Sequence, residues 1–142
     1  WQTDVIDCHN DDQNVQTFAQ RFGANVEDEA WMNPEYACTP YRGQPYFVSE
    51  FGGTWWNPDA DPESDSWGYG DRPKTLDEFY ARFEGLCGVL LDNPRMFGYC
   101  YTQLTDVFQE QNGLYGFDRS EKFDATKLAT IQRRPAAIEA NR

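Results

Sequence analysis

At 142 residues the chain is long enough for one domain on a single core and too short for a closed eight-fold β/α barrel, which takes about 250 residues. Twenty-four acidic against twelve basic residues give a net charge of -12, which repels phosphate backbones and anionic lipid and excludes nucleic acid and membranes as expected partners. A hydrophobic fraction of 39%, with five Trp, eight Tyr and ten Phe, supplies ample apolar surface to bury and excludes disorder.

In chain order, Asp4 to Cys8 is the first short extended segment, rich in β-branched and apolar residues, and predicts a strand. Asp12 to Phe22 follows as a short amphipathic helix, with Val15, Phe18, Ala19 and Phe22 at three- and four-residue spacing before Gly23. Pro45 to Glu50 reads as a second strand. From Thr75 to Leu91 the apolar positions Leu76, Phe79, Tyr80, Phe83, Leu86, Cys87, Leu90 and Leu91 form one stripe, opened by Thr75 with Glu78 three residues on, a capping-box pattern, and closed by Asn93-Pro94. Met96 to Tyr101 is a third strand, and Asp124, a good N-cap, opens a third helix that runs to Arg133, where Arg133-Arg134 would favour its C-terminal end. Strands alternating with helices predict a parallel sheet, and the long loops at Phe51 to Lys74 and Thr102 to Phe123, which carry Trp, Tyr, Asp and Gly, stand where such architectures place their sites.

The N-terminus, Trp1-Gln2-Thr3-Asp4, has neither an initiator Met nor the flank and apolar stretch of a signal peptide, so the sequence is expected to be cut from a longer one. No apolar run approaches the roughly 20 residues of a membrane-spanning helix, and cytoplasm and periplasm both remain open. Cys8, Cys38, Cys87 and Cys100 lie far apart, without the close pairs of zinc or redox sites, and buried thiols are the expected state of those in apolar segments. No metal or cofactor is called for. The run Asp59-Ala60-Asp61-Pro62-Glu63-Ser64-Asp65 spaces carboxylates like half a calcium loop but has Ser64 and Gly70 where that loop needs Gly and Glu, so it is read as a solvated acidic loop. With one histidine, His9, and no Ser in a G-x-S-x-G elbow, a Ser-His-Asp hydrolase is excluded, and the absence of G-x-G-x-x-G or a P-loop removes the common nucleotide folds.

The chemistry that remains is a carboxylate at a strand end, Glu50 in Pro45-Tyr46-Phe47-Val48-Ser49-Glu50-Phe51-Gly52-Gly53. A Glu closing an apolar strand is costly to desolvate unless partners hold it, and the two glycines allow the chain to turn away and leave the carboxylate facing a cleft. A structural strand cap and a catalytic carboxylate both fit that local pattern. The surrounding Phe51, Trp55, Trp56, Trp67 and Tyr69 suit the flat C–H faces of sugar rings and also suit an ordinary core.

That segment, with Trp67-Gly68-Tyr69-Gly70, with Gly98-Tyr99-Cys100-Tyr101-Thr102-Gln103-Leu104-Thr105-Asp106-Val107, and with Asn112-Gly113-Leu114-Tyr115, Phe117-Asp118-Arg119 and Lys122-Phe123-Asp124, resembles the C-terminal part of the catalytic barrel of glycoside hydrolase family 2, the β-galactosidases, β-glucuronidases and β-mannosidases. The resemblance runs from about Asp4 to about Arg134 and implies a partial (β/α)8 barrel, strands six to eight, as one unit over residues 1–142. It implies a retaining β-glycosidase with Glu50 as nucleophile and with His9, Asn10, Trp55, Trp56, Tyr101 and Gln103 lining a carbohydrate site. The expected partners are a carbohydrate substrate and the remainder of the parent barrel. The family's proton donor follows an Asn at the fourth strand, and no Asn-Glu occurs here, so the isolated chain is expected to be inactive. A non-catalytic carbohydrate-binding or structural fragment is the alternative. A Tyr that holds the nucleophile after the family's sixth strand is matched by His9-Asn10-Asp11-Asp12-Gln13, where a carboxylate such as Asp11 would oppose the charge on Glu50. The stretch Asn112-Gly113-Leu114 lacks the Lys by which glucuronidases bind a sugar carboxylate, which favours a neutral sugar such as galactose.

Overall fold

The computed structural model describes residues 3–25, 41–59 and 65–141. Cys38 and residues 60–64 of the acidic run lie outside them. Three strands, β1 (Ile6–Asn10), β2 (Tyr46–Gly52) and β3 (Met96–Thr102), alternate with three helices, α1 (Val15–Phe22), α2 (Leu76–Leu91) and α3 (Ala125–Gln132), before a short 3-10 helix at Ala137–Asn141. The strands form one parallel sheet in the order β1-β2-β3.

The helices start where their caps dictate. Asn14 accepts hydrogen bonds from the amides of Gln16 and Thr17 and opens α1 two residues after the expected Asp12. Thr75 caps α2 by accepting from the Glu78 amide at 3.1 Å, while the Glu78 carboxylate reaches past the cap to the Lys74 amide at 2.8 Å. Asp124 caps α3. Arg134 does not serve α3's end as its sequence position suggested. It crosses to the end of α2, donating to Asp92 at 2.6 Å and to the Gly88 carbonyl at 3.1 Å, where a cation meets the negative end of the longer helix.

One apolar cluster joins the layers. Ile6, Cys8, Tyr46, Val48 and Met96 from the sheet meet Phe18 and Phe22 of α1 and Phe79, Phe83, Leu86 and Leu90 of α2. Asn93, 2% exposed, ties the turn after α2 to the end of α1 by donating to the Phe22 carbonyl at 2.9 Å, a buried amide kept because its partner is fixed. Among the described cysteines, Cys8 and Cys87 are buried reduced thiols, with burial pushing Cys87 up to about 12, whereas Cys100 is exposed on the outer face of β3.

The expected arc of barrel strands six to eight is not what the chain forms. Among the described residues the sheet has three strands, with β1 and β3 as its edges, layered against helices as an open α/β unit. Alternating strand and helix patterns specify parallel neighbours. Closure depends on the stagger and tilt of a whole ring of strands, which the local patterning of three units does not contain.

Candidate active site at the C-terminal edge of the sheet

A regular strand would have turned Glu50 inward. Val48 is buried, so strict alternation places Ser49 outside, Glu50 in the core and Phe51 outside. The pairing shows otherwise: Cys8 faces Val48 but His9 faces Glu50, and on the other side Val48 faces Tyr99 while Phe51 faces Tyr101. Both neighbours therefore register one extra residue in β2, a bulge between Val48 and Phe51. The Ser49 amide donates to Asp7 at 3.2 Å, which satisfies it at the irregular pairing. The bulge brings Phe51 to 0% exposure and leaves the Glu50 side chain 34% exposed at the C-terminal end of the sheet.

Three side chains converge there. Tyr69 donates its hydroxyl to Glu50 Oε1 at 3.2 Å, and His9 Nε2 lies 3.6 Å from the same oxygen. His9 Nε2 also lies 2.9 and 3.0 Å from the two carboxylate oxygens of Asp11. Asp11 and Glu50 thus stand close together beside the same imidazole nitrogen. His9, Asp11 and Glu50 each offer one ligand atom, all within 4.8 Å of one another, a spacing that would admit a divalent cation in place of the imidazole contacts.

The loop after β2 delivers Tyr69 by folding back on the strand end. The Tyr69 amide donates to the Gly53 carbonyl at 2.7 Å, and the Gly53 amide to Thr102 at 2.7 Å. Gly52 and Gly53 have φ of 86° and 64°, and a Cβ on them would stand 2.2 Å from the Tyr101 ring and 2.1 Å from the Tyr69 ring. Only glycine fits both the backbone conformation and the two rings. Gln13 ties the loop after β1 to this corner: its amide donates to the carbonyls of Asp11 and Gly52 and accepts from Thr54 at 2.7 Å.

Burial, then the charges of Asp11 and Glu50, push the Tyr69 phenol up to about 12. The folded pKa lies above the ordinary value of about 10, so the hydrogen bond to Glu50 is intact below pH of about 10 and is lost as pH rises toward that of the folded phenol. In an ultraviolet tyrosinate titration, Tyr69→Phe should remove one late-titrating phenol. Removal of an ordinary one would show that the hydroxyl does not face the carboxylates.

The other expected site residues are dispersed. Asn10 accepts from the Asp12 amide at 3.0 Å and shapes the turn after β1. Trp55 donates to Ser66 at 3.0 Å and lies beneath Arg72, whose guanidinium is 5.4 Å from its ring centre. Trp56 is 8% exposed and packs in the core against Phe79 and Phe123, which stack on each other. Gln103 donates to the buried Asn112 at 2.6 Å. Tyr101 packs edge-on to Phe51, with ring centres 5.5 Å apart, and its hydroxyl is fully buried beside Thr54 without a well-formed hydrogen bond among the described residues. Tyr101→Phe should therefore be neutral or stabilising by up to about 1 kcal/mol in chemical denaturation, since an unsatisfied hydroxyl is removed. A clear loss would reveal a partner for it.

Sequence reasoning named Tyr69 only among the aromatic surroundings of Glu50, not as its hydrogen-bond partner, and did not assign Gln13 to the site. The glycines around Tyr69 and the apolar-polar-polar-apolar run Val48-Ser49-Glu50-Phe51, which breaks two-residue alternation, are the signals that mark the loop return and the bulge. The tyrosine that holds the candidate nucleophile comes from the loop after β2, while the end of β1 supplies His9 and the loop after it supplies Asp11.

No family profile matches the sequence, and no curated protein matches it. Among solved structures, the crystal structure of an agarase superposes with a TM-score of 0.53 at 16% identity, over 92% of this chain and 18% of that one. The likeness is one of fold. This chain spans a small part of the agarase's length.

Proposed function

We propose that Glu50 is the nucleophile of a retaining glycosidase site for a β-linked neutral sugar, with a β-galactoside as the first substrate to test. The observation that carries the reading is a carboxylate turned out of the core by a bulge at the C-terminal end of a parallel sheet and held at one oxygen by Tyr69. In such a reaction the carboxylate attacks the anomeric carbon as the bond to the leaving oxygen breaks, and a protonated carboxyl group about 5 to 5.5 Å away delivers the proton to that oxygen. Water then releases the sugar with its anomeric configuration retained. Asp11 is near enough to Glu50, but both its oxygens are committed to His9, so its part is to orient the imidazole beside Glu50, and no described carboxylate is assigned the donor's part.

The motifs that resemble glycoside hydrolase family 2 and the fold likeness to an agarase both support glycoside cleavage; the family-2 reading rests on that resemblance alone, since no family profile matches. A fluorogalactoside with a dinitrophenyl leaving group tests the reading, because that group departs without a proton donor while the fluorine slows release of the glycosyl-enzyme. Intact-mass analysis should show one fluoroglycosyl unit on Glu50. The exposure of the Glu50 carboxylate favours a second reading, a carbohydrate-binding surface without turnover, which sugar binding without labelling would select.

A further inference from the structure

The loop after β3 holds two phenylalanines in water. Phe108 is 72% exposed and Phe117 63%, and their rings face each other with centres 5.3 Å apart and planes inclined by 33°. Phe108 also has a positive φ of 51°. It occupies the first central position of the tight turn from Val107 to Glu110, closed by reciprocal backbone hydrogen bonds of 3.0 and 2.9 Å. Positive φ at that position belongs to glycine in a type II′ hairpin turn, so a phenylalanine there is strained, and at this exposure the strain gains little burial within the chain.

The turn is coupled to the candidate site. Trp67 donates its amide to Gln109 at 2.9 Å and accepts from Gln111 at 2.8 Å, which lays it alongside the Phe108 turn. Its ring, 41% exposed, lies 6.2 Å from that of Tyr69, whose hydroxyl holds Glu50. A file of aromatic residues thus leads from Glu50 through the rings of Tyr69 and Trp67 and on, by backbone pairing, to the turn that carries Phe108, whose ring meets Phe117. We propose that this file is a binding track for a neutral sugar polymer, in which Phe108 and Phe117 form an outlying subsite that stacks the C–H face of a pyranose ring beyond the bond cut at Glu50. Exposed flat apolar faces match the apolar C–H faces that pyranose rings present. Leu104 and Val107 of the same loop are also exposed. The proposal rests on the glycosidase reading of Glu50 and adds that the substrate is a chain and not a disaccharide.

The test titrates the 142-residue protein calorimetrically with agarose-derived disaccharide and hexasaccharide, alongside Phe108→Gly and Phe117→Ala. Phe108→Gly relaxes the turn, so a loss of binding with unchanged or higher thermal stability is not a folding defect. The hexasaccharide should bind about tenfold more tightly than the disaccharide, and each variant should lose about five- to tenfold for the hexasaccharide alone, the scale of one stacking contact. Equal affinities for both lengths, unmoved by the variants, would overturn the track while fluorogalactoside labelling of Glu50 still upheld the glycosidase reading. Absence of both binding and labelling would remove both. Loss of a concentration-dependent dimer in the variants, with sugar affinity unchanged, would overturn the track in favour of self-contact.

Discussion

Glu50→Gln should abolish fluorogalactoside labelling and, wherever a proton donor completes the reaction, reduce turnover by about 10⁴-fold or more, the scale on which enzymes lose a covalent nucleophile. The amide keeps the shape of the carboxylate and can accept from Tyr69, so the fold should be undisturbed. It cannot displace an aryloxide from the anomeric carbon. Unchanged thermal unfolding with lost labelling is the expected pair of results. Labelling that persists in the variant would place the nucleophile elsewhere, and His9 and Asp11 would be the side chains to map next.

Phe51→Ala, one residue further on, should do the opposite. Its ring is fully buried and meets Phe18, Tyr99 and Tyr101 with centres 6.0, 5.4 and 5.5 Å apart. Truncating such a ring costs about 3–5 kcal/mol through lost burial and the cavity left behind. Set against a total of roughly 5–15 kcal/mol for a domain, that leaves a marginal fold, read as a drop in the denaturant midpoint. A cost below about 1 kcal/mol would mean that Phe51 does not face the core and that the bulge is misplaced. The neighbouring substitutions therefore separate chemistry from architecture on a single strand.

The strand and helix pattern was legible because its causes are local. The apolar stripe of α2, the caps Thr75 and Asp124, and the three extended segments appear within a residue or two of their expected bounds, and their alternation gives the parallel sheet. What escaped was set at a distance. Glu50 was legible as a carboxylate at a strand end, but its outward orientation needs an irregularity visible only against two partner strands. Tyr69 reaches it through a loop return that depends on ring packing over Gly53. Trp56 and Trp55 are adjacent and chemically alike, yet one lies in the core and the other under Arg72, because a change of one residue reverses the direction of a side chain.

The pairing of His9 with Glu50 joins residues from opposite sides of a complete strand-helix crossover, and Gly53 in turn leans on Thr102 at the end of the next one. Neither contact forms until long stretches of intervening chain have closed, and chains dominated by such distant pairings fold slowly. The corner around Glu50 is consequently among the last parts of the molecule to assemble. During refolding, helix signals should recover before Glu50 becomes competent for labelling, so the same reagent that identifies a nucleophile also times the completion of the sheet.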